Sequence, residues 1–213
     1  MVSVNPADAE TAREILEFSF ANKLSHVGSC LTAAPIINEI FDQKAANEKF
    51  ILSSGHAGVA LYVILQRRFG ISAQALYDAH GVHPNKDLKH QLTCSSGSLG
   101  CGLPIAVGHA LACPKENVYV LLSDGECAEG SVWEALAFVE THKVHNLHVY
   151  VNINGLGAYD SIDPQYLAAR LRAFLPRINI RFTDANLDCA PGLLAHYYVL
   201  KEDDMRRLDA PER

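Results

Sequence analysis

The sequence predicts an α/β fold, an open, mostly parallel sheet with helices on both faces. Three observations carry this. Short continuous apolar runs, Phe50–Leu52, Val118–Leu122 and Leu147–Val151, read as strands buried on both sides. Stretches with apolar residues at helical spacing alternate with them. The last two runs each break at an acid or amide followed by glycine, Asp124-Gly125 and Asn154-Gly155.

Taken in order, Asn5-Pro6 opens a helix, with Asn as cap and Pro in the first turn. Ala9, Ala12, Leu16 and Phe20 follow at helical spacing, and the helix ends before the small-residue turn Ser25-His26-Val27-Gly28-Ser29. Thr32 is expected to cap a second helix whose apolar side is Ile36, Ile37, Ile40 and Phe41. The strand Phe50–Leu52 ends at Ser53-Ser54-Gly55-His56. A helix from about Ala57 to Phe69 follows, stopped by Gly70, then a short one over 72–79. Gly81-Val82-His83-Pro84 opens a polar loop. The glycines of Cys94–Gly102 let backbone approach something closely, and a helix runs on to about Ala112. After the strand Val118–Leu122, residues 131–142 read as a helix with Val132, Leu136 and Val139 on one face. The strand Leu147–Val151 is followed by a helix from Asp163-Pro164 to about Phe174 and a strand over Ile178–Phe182. The rest is expected to add a short strand and a polar, partly helical tail. Residues 1–213 are expected to form one domain, with 190–213 a short tail available to a partner.

Composition excludes little but points one way. The chain is 49% apolar and 20% charged, with net charge −6 and no Lys/Arg run, so neither nucleic acid nor an anionic membrane is an expected partner. No apolar run reaches about 18 residues, and the N-terminus lacks the basic and apolar regions of a signal peptide. A cytoplasmic location is therefore expected. The six cysteines form no C-x-x-C pair and read as free thiols, mostly small buried residues, rather than disulfides or a zinc site.

Asp124 and Asn154, thirty positions apart, would lie just past the carboxyl ends of neighbouring parallel strands, where open α/β sheets place ligands. A carboxylate and an amide oxygen there are hard ligands suited to Mg²⁺ carrying a phosphorylated cofactor, with a turn carbonyl near Leu156 as a third. The same residues also form ordinary turns. Gly97–Gly102 offers a glycine-rich helix start, which suits an anion or simply a tight turn. His26, His56, His80 and His83 sit in loops. His26 and His56 occupy small-residue turns, where an imidazole can face a cleft and move protons. Glu129 fits the first turn of a helix, favoured by its dipole. Glu134 lies among apolar residues, where that account serves less well. His142, His145 and His148 cross from a helix end into a strand and are not expected to converge on a metal.

The block SDGECAEGSVWEALAFVETHKVHNLHVYVNINGL resembles the thiamine diphosphate signature of transketolases: Gly-Asp-Gly, a helix, then a strand ending in Asn. SHVGSCLTA, FILSSGHAGVALY, and HP followed by SSGSLGCGLPIAVGHALA extend the resemblance in the family's order over about residues 10–175. The resemblance implies a thiamine diphosphate-binding fold and Mg²⁺ (or Ca²⁺) held by Asp124, Asn154 and the Leu156 carbonyl. It implies cofactor contacts from Gly97, Ser98, Leu99, Gly125, Glu126 and Asn154. It gives His26, His56 and His83 roles in proton transfer and sugar binding. Glu129 and Glu134 match acids lying between paired active sites.

Departures from the pattern are specific. Ser123 replaces the first glycine of Gly-Asp-Gly, and Cys101 replaces a common glutamine. Val151-Asn152-Ile153 precedes Asn154 where an aspartate is frequent, and the region after Phe174 is short. His196 has no clear counterpart. The family's second domain, which binds the aminopyrimidine, does not fit in this length. The implied protein is the diphosphate-binding half of a split transketolase, paired with a separate C-terminal, pyrimidine-binding subunit in a homodimer or hetero-tetramer. It would move a two-carbon ketol unit between sugars or sugar phosphates. Two other readings stay open: a pyruvate-using synthase or 2-oxoacid decarboxylase/dehydrogenase component, and a non-catalytic cofactor-binding scaffold.

Overall fold

A computed structural model describes residues 6–157, 160–184 and 197–208. Two helices, α1 (Pro6–Ala21) and α2 (Val27–Gln43), precede strand β1 (Lys49–Leu52). Helices α3 (Gly58–Phe69), α4 (Ala73–His80) and α5 (Gly102–Ala112) lead to β2 (Val118–Ser123). Then come α6 (Gly130–Thr141), β3 (Leu147–Ile153), α7 (Pro164–Phe174), β4 (Asn179–Phe182) and α8 (Glu202–Leu208). The described strands form one sheet in the order β1-β2-β3-β4, every neighbouring pair parallel. The sheet expected to be mostly parallel is wholly so among the described residues.

Successive side chains of a strand face opposite sides, so each strand feeds two cores. Phe50, Leu52, Tyr119, Leu121 and Tyr150 face a cluster built with α1 to α4. Ile51, Val118, Val120, Leu122, Val149 and Val151 face a second cluster built with α5, α6 and α7. This explains the continuous apolar runs: every position of β2 is buried, whichever way it points. Burying each such side chain contributes about 1.5–3 kcal/mol, so a polar residue inside β2 or β3 needs a local reason. Ser123 and Asn152, buried at the ends of those strands, are two such residues. Leu200 and Met205 pack the α8 segment against Leu16 and Val27.

Most boundaries agree with the expected ones to within two residues. Ser72 caps α4 through Ala75 N–H, Asp163 caps α7 through the N–H groups of Gln165 and Tyr166, and Gly70 ends α3 at φ +68°. The second helix differs. It begins at Val27, so Thr32 is interior to α2 and not its cap; His26 holds the cap position with φ +61° and no side-chain cap bond. Pro35 lies inside α2; lacking an N–H, it leaves the Leu31 carbonyl without its usual helical donor. The strand expected early in the tail falls partly outside the described residues; within them, Tyr198–Leu200 are irregular. Cys189, His196 and the remainder of the 190–213 tail outside Tyr197–Leu208 lie beyond the described residues. Among the described residues no helix is long and apolar enough to cross a membrane.

Candidate functional site

Parallel pairing of β2 with β3 sets Ser123 opposite Asn152, so the two strands end side by side. The Asp124 N–H extends the ladder by one bond to the Asn152 carbonyl, 2.9 Å. The chain then turns, and the Asp124 carboxylate is enclosed by backbone donors. Its Oδ1 accepts from Gly125 N at 3.0 Å, and its Oδ2 accepts from Asn154 N at 2.9 Å and Gly155 N at 2.8 Å. Gly155 adopts φ +82°, a turn that brings both amides onto one oxygen. Asn154 Oδ1 in turn accepts from Leu156 N at 2.9 Å. Asp124 is 1% exposed, and burial pushes its carboxyl up to about 6 against the opposing pull of the backbone N–H groups.

Two of these side-chain oxygens keep acceptor capacity. Two N–H donors use both lone pairs of Asp124 Oδ2, whereas Oδ1 has one donor and keeps one. Asn154 Oδ1 likewise keeps one. With the Leu156 carbonyl, these make three oxygen donors and a single negative charge. Oxygen donors of this kind are the ones Mg²⁺ and Ca²⁺ take. Among the described residues no cationic side chain pairs with Asp124, and no group of three or more His, Cys, Asp or Glu side chains converges on one point. A buried carboxylate lacking a cationic partner fits an arriving cation.

These strand ends floor a cavity of 270 Å³. Of the residues expected at the site, it brings together His26, His56, His83, Gly97, Leu99, Asp124, Gly125, Asn154 and Leu156. The His26 and His56 rings lie 5.5 Å apart, centroid to centroid, and Tyr197 lies 6.1 Å from His26. His83 is exposed at the rim. Glycines allow the walls to meet: a Cβ on Gly55 would lie 2.6 Å from Gly97 N, and one on Gly97 (φ +133°) 3.1 Å from the His83 ring.

Four expected site residues fall elsewhere. Ser98 is exposed and outside the cavity wall. Glu129 holds the N-cap position of α6 with no side-chain cap bond, and Glu134 is exposed on that helix, not enclosed by its apolar neighbours as the sequence suggests. Glu126, expected to touch the cofactor, is fully buried behind the site. Its Oε1 accepts from Ser53 Oγ at 2.5 Å and Gly100 N at 3.0 Å, and its Oε2 accepts from Ser123 N at 3.0 Å. It therefore ties together the end of β1, the glycine-rich turn and the end of β2. Burial raises its pKa, with these three donors opposing.

Other cavity residues are not among the sequence candidates. Ser29 and Ala33 of α2, Ser54, Ser123, Asn152 and Tyr197 all line it. Asn152 is fixed by two hydroxyls: its Nδ2 donates to Thr32 Oγ1 at 2.9 Å, and its Oδ1 accepts from Thr183 Oγ1 at 2.5 Å. The usable signal is a polar residue at the end of a buried apolar run, which marks Ser123 and Asn152; Tyr197 carries none. The cysteines, expected to be mostly buried, divide: of the five described only Cys30 and Cys127 are buried, while Cys101 and Cys113 are exposed. His142 packs on Phe138 and His148 stacks on Tyr119, so the histidine run does not converge.

No family model matches the chain. It is 34% identical to human transketolase over 161 residues, covering 66% of this chain and 26% of that protein. It is 27% identical over 165 residues to a subunit of the apulose-4-phosphate transketolase of Phocaeicola vulgatus, covering 68% of this chain and 58% of that one. Among solved structures, a mutant transketolase from Pichia stipitis superposes with TM-score 0.66 at 23% identity, over 81% of this chain and 30% of that one. Transketolase from Leishmania mexicana superposes with TM-score 0.63 at 18% identity, over 86% and 36%. The chain thus spans about a quarter of the length of the human relative. The superpositions establish a shared fold.

Proposed function

We propose, from the premise that this chain is a homologue of transketolases, that it anchors thiamine diphosphate through Mg²⁺ and acts with a separate pyrimidine-binding subunit. The pair would transfer a two-carbon ketol unit from a ketose to an aldose, as sugars or sugar phosphates. The observation that carries this reading is Asp124, a buried carboxylate at the cavity floor with one free lone pair beside Asn154 Oδ1.

In this reading Asp124 Oδ1, Asn154 Oδ1 and the Leu156 carbonyl hold the cation, and Gly125, Gly97 and Leu99 leave room for the diphosphate. Bound thiamine diphosphate supplies a nucleophilic carbon and an electron sink for breaking a carbon–carbon bond. His26 and His56, with rings 5.5 Å apart on the cavity wall, take and return protons at sugar hydroxyls. His83 orients the substrate at the rim. Glu129 and Glu134, which lie off the cavity, face a second chain. The Phocaeicola vulgatus relative is itself named as one subunit of a transketolase, which supports dividing the enzyme between two chains.

The test is reconstitution. The chain and a pyrimidine-binding subunit, mixed with thiamine diphosphate and Mg²⁺, are expected to transfer a ketol unit from a ketose donor, and Asp124→Ala to abolish it. Full transfer by this chain alone, or turnover with pyruvate and none with a ketose, would sink the proposal.

A further inference from the structure

Ser123 lines the cavity, and its buried Oγ has no hydrogen-bond partner among the described residues. The residue is 8% exposed. Its backbone is fully engaged, the N–H with Glu126 Oε2 at 3.0 Å and the carbonyl with the Cys127 thiol at 3.8 Å, so the orphan is the side chain alone. A buried hydroxyl without a partner destabilises a fold, and alanine or glycine at this strand end avoids that cost. The nearby polar groups bond elsewhere and not to this hydroxyl. Asn152, directly across the strand pair, is held by Thr32 and Thr183. The Asp124 oxygens accept from backbone amides, and the lone pair left on Oδ1 is the one the proposed cation takes. What the hydroxyl lacks, the cavity's ligand can provide.

We infer that Ser123 is a ligand-binding residue whose hydroxyl donates a hydrogen bond to a diphosphate oxygen of the bound cofactor. This rests on the proposed reading of the cavity as a diphosphate site. The residue before the metal-binding carboxylate is adjacent to the place where cation and phosphate must meet. An anionic oxygen is the acceptor that rewards a lone hydroxyl donor most strongly. The chain thereby gains a side-chain contact to the phosphate at a position where its resemblance to transketolases calls for glycine.

The experiment measures binding to the isolated chain by calorimetry, using inorganic pyrophosphate with Mg²⁺ and, separately, thiamine diphosphate with Mg²⁺. Wild type, Ser123→Ala, Ser123→Gly and Asp124→Ala are compared, together with the ligand-free melting temperature of each. Ser123→Ala is expected to weaken pyrophosphate and thiamine diphosphate alike, by about tenfold, as for loss of one hydrogen bond to a charged group. Its ligand-free melting temperature is expected to equal or exceed that of wild type, since an orphan hydroxyl has been removed. Ser123→Gly should show the same loss of affinity. Unchanged affinity in Ser123→Ala with binding abolished in Asp124→Ala overturns the Ser123 assignment and leaves the diphosphate site standing. Weakened thiamine diphosphate with unchanged pyrophosphate overturns the phosphate contact. A lowered ligand-free melting temperature with unchanged affinity makes the hydroxyl structural. Absence of binding by wild type overturns both readings.

Discussion

The Asp124 carboxylate and the Asn154 backbone amide are joined by a 2.9 Å hydrogen bond that closes the gap between the ends of two parallel strands. It fixes Asn154 while leaving the other Asp124 oxygen one lone pair. The carboxylate is buried without a cation, and this has a pH signature. Its pKa lies at about 6 in the fold against an ordinary 3.8. Between those values the folded protein holds a proton that the unfolded chain has released, so stability falls as pH rises through the window. The loss is up to about 3 kcal/mol. Glu126 shifts in the same direction, so the informative quantity is the difference between wild type and Asp124→Asn in urea melts at pH 4 and pH 6.5. The variant is expected to lose less stability over that interval. Mg²⁺ with pyrophosphate is expected to shrink the wild-type loss, because a bound cation favours the charged carboxylate.

Glu126 concerns stability more than chemistry. Removing its carboxylate orphans three buried donors, on Ser53, Gly100 and Ser123. Glu126→Ala is expected to cost about 3 kcal/mol or more, and Glu126→Gln about 1–2 kcal/mol, since the amide keeps the shape but turns a donor toward a donor. Urea unfolding checks this: the midpoint should drop in that order. A Glu126→Ala midpoint equal to wild type would mean that the carboxylate does not tie the three segments together.

How much of this is legible in the sequence follows from how local each feature is. Strands buried on both faces show as apolar runs, and Asp124 and Asn154 show because they end two of them. Glu126 reads as another residue of the signature, because its partners come from segments 73 and 26 positions away. Ser98 groups in sequence with Gly97 and Leu99, but one step along a turn reverses a side chain, and it points to solvent. Thr32 has the look of a cap because it precedes the apolar spacing of Ile36 and Ile40. The helix starts five residues earlier because His26 takes a left-handed conformation that residue type alone does not announce.

Gly97 has φ +133°, and a Cβ there would sit 3.1 Å from the His83 ring. Gly97→Ala is therefore expected to cost about 1–3 kcal/mol in backbone strain and to displace His83 from the cavity rim. Thermal melts read the first effect and the His83 imidazole NMR resonances the second. A variant with unchanged melting temperature and unchanged His83 resonances would show that the turn relaxes without strain.

His26 separates conformation from chemistry. It lies at φ +61° and packs beside His56 and Tyr197. Both His26→Ala and His26→Gly delete the imidazole, but glycine adopts positive φ freely whereas alanine retains the strain. His26→Gly is expected to be more stable than His26→Ala by about 1 kcal/mol. In the reconstituted two-subunit enzyme both variants should lower kcat for ketol transfer about a hundredfold or more, as expected for loss of a proton-transfer group. Affinity for Mg²⁺-pyrophosphate should stay near wild type, since His26 belongs to the α2 wall of the cavity and not to the strand ends that hold the cation. Activity that tracks the stability difference between the two variants would instead give His26 a conformational role and no part in moving protons.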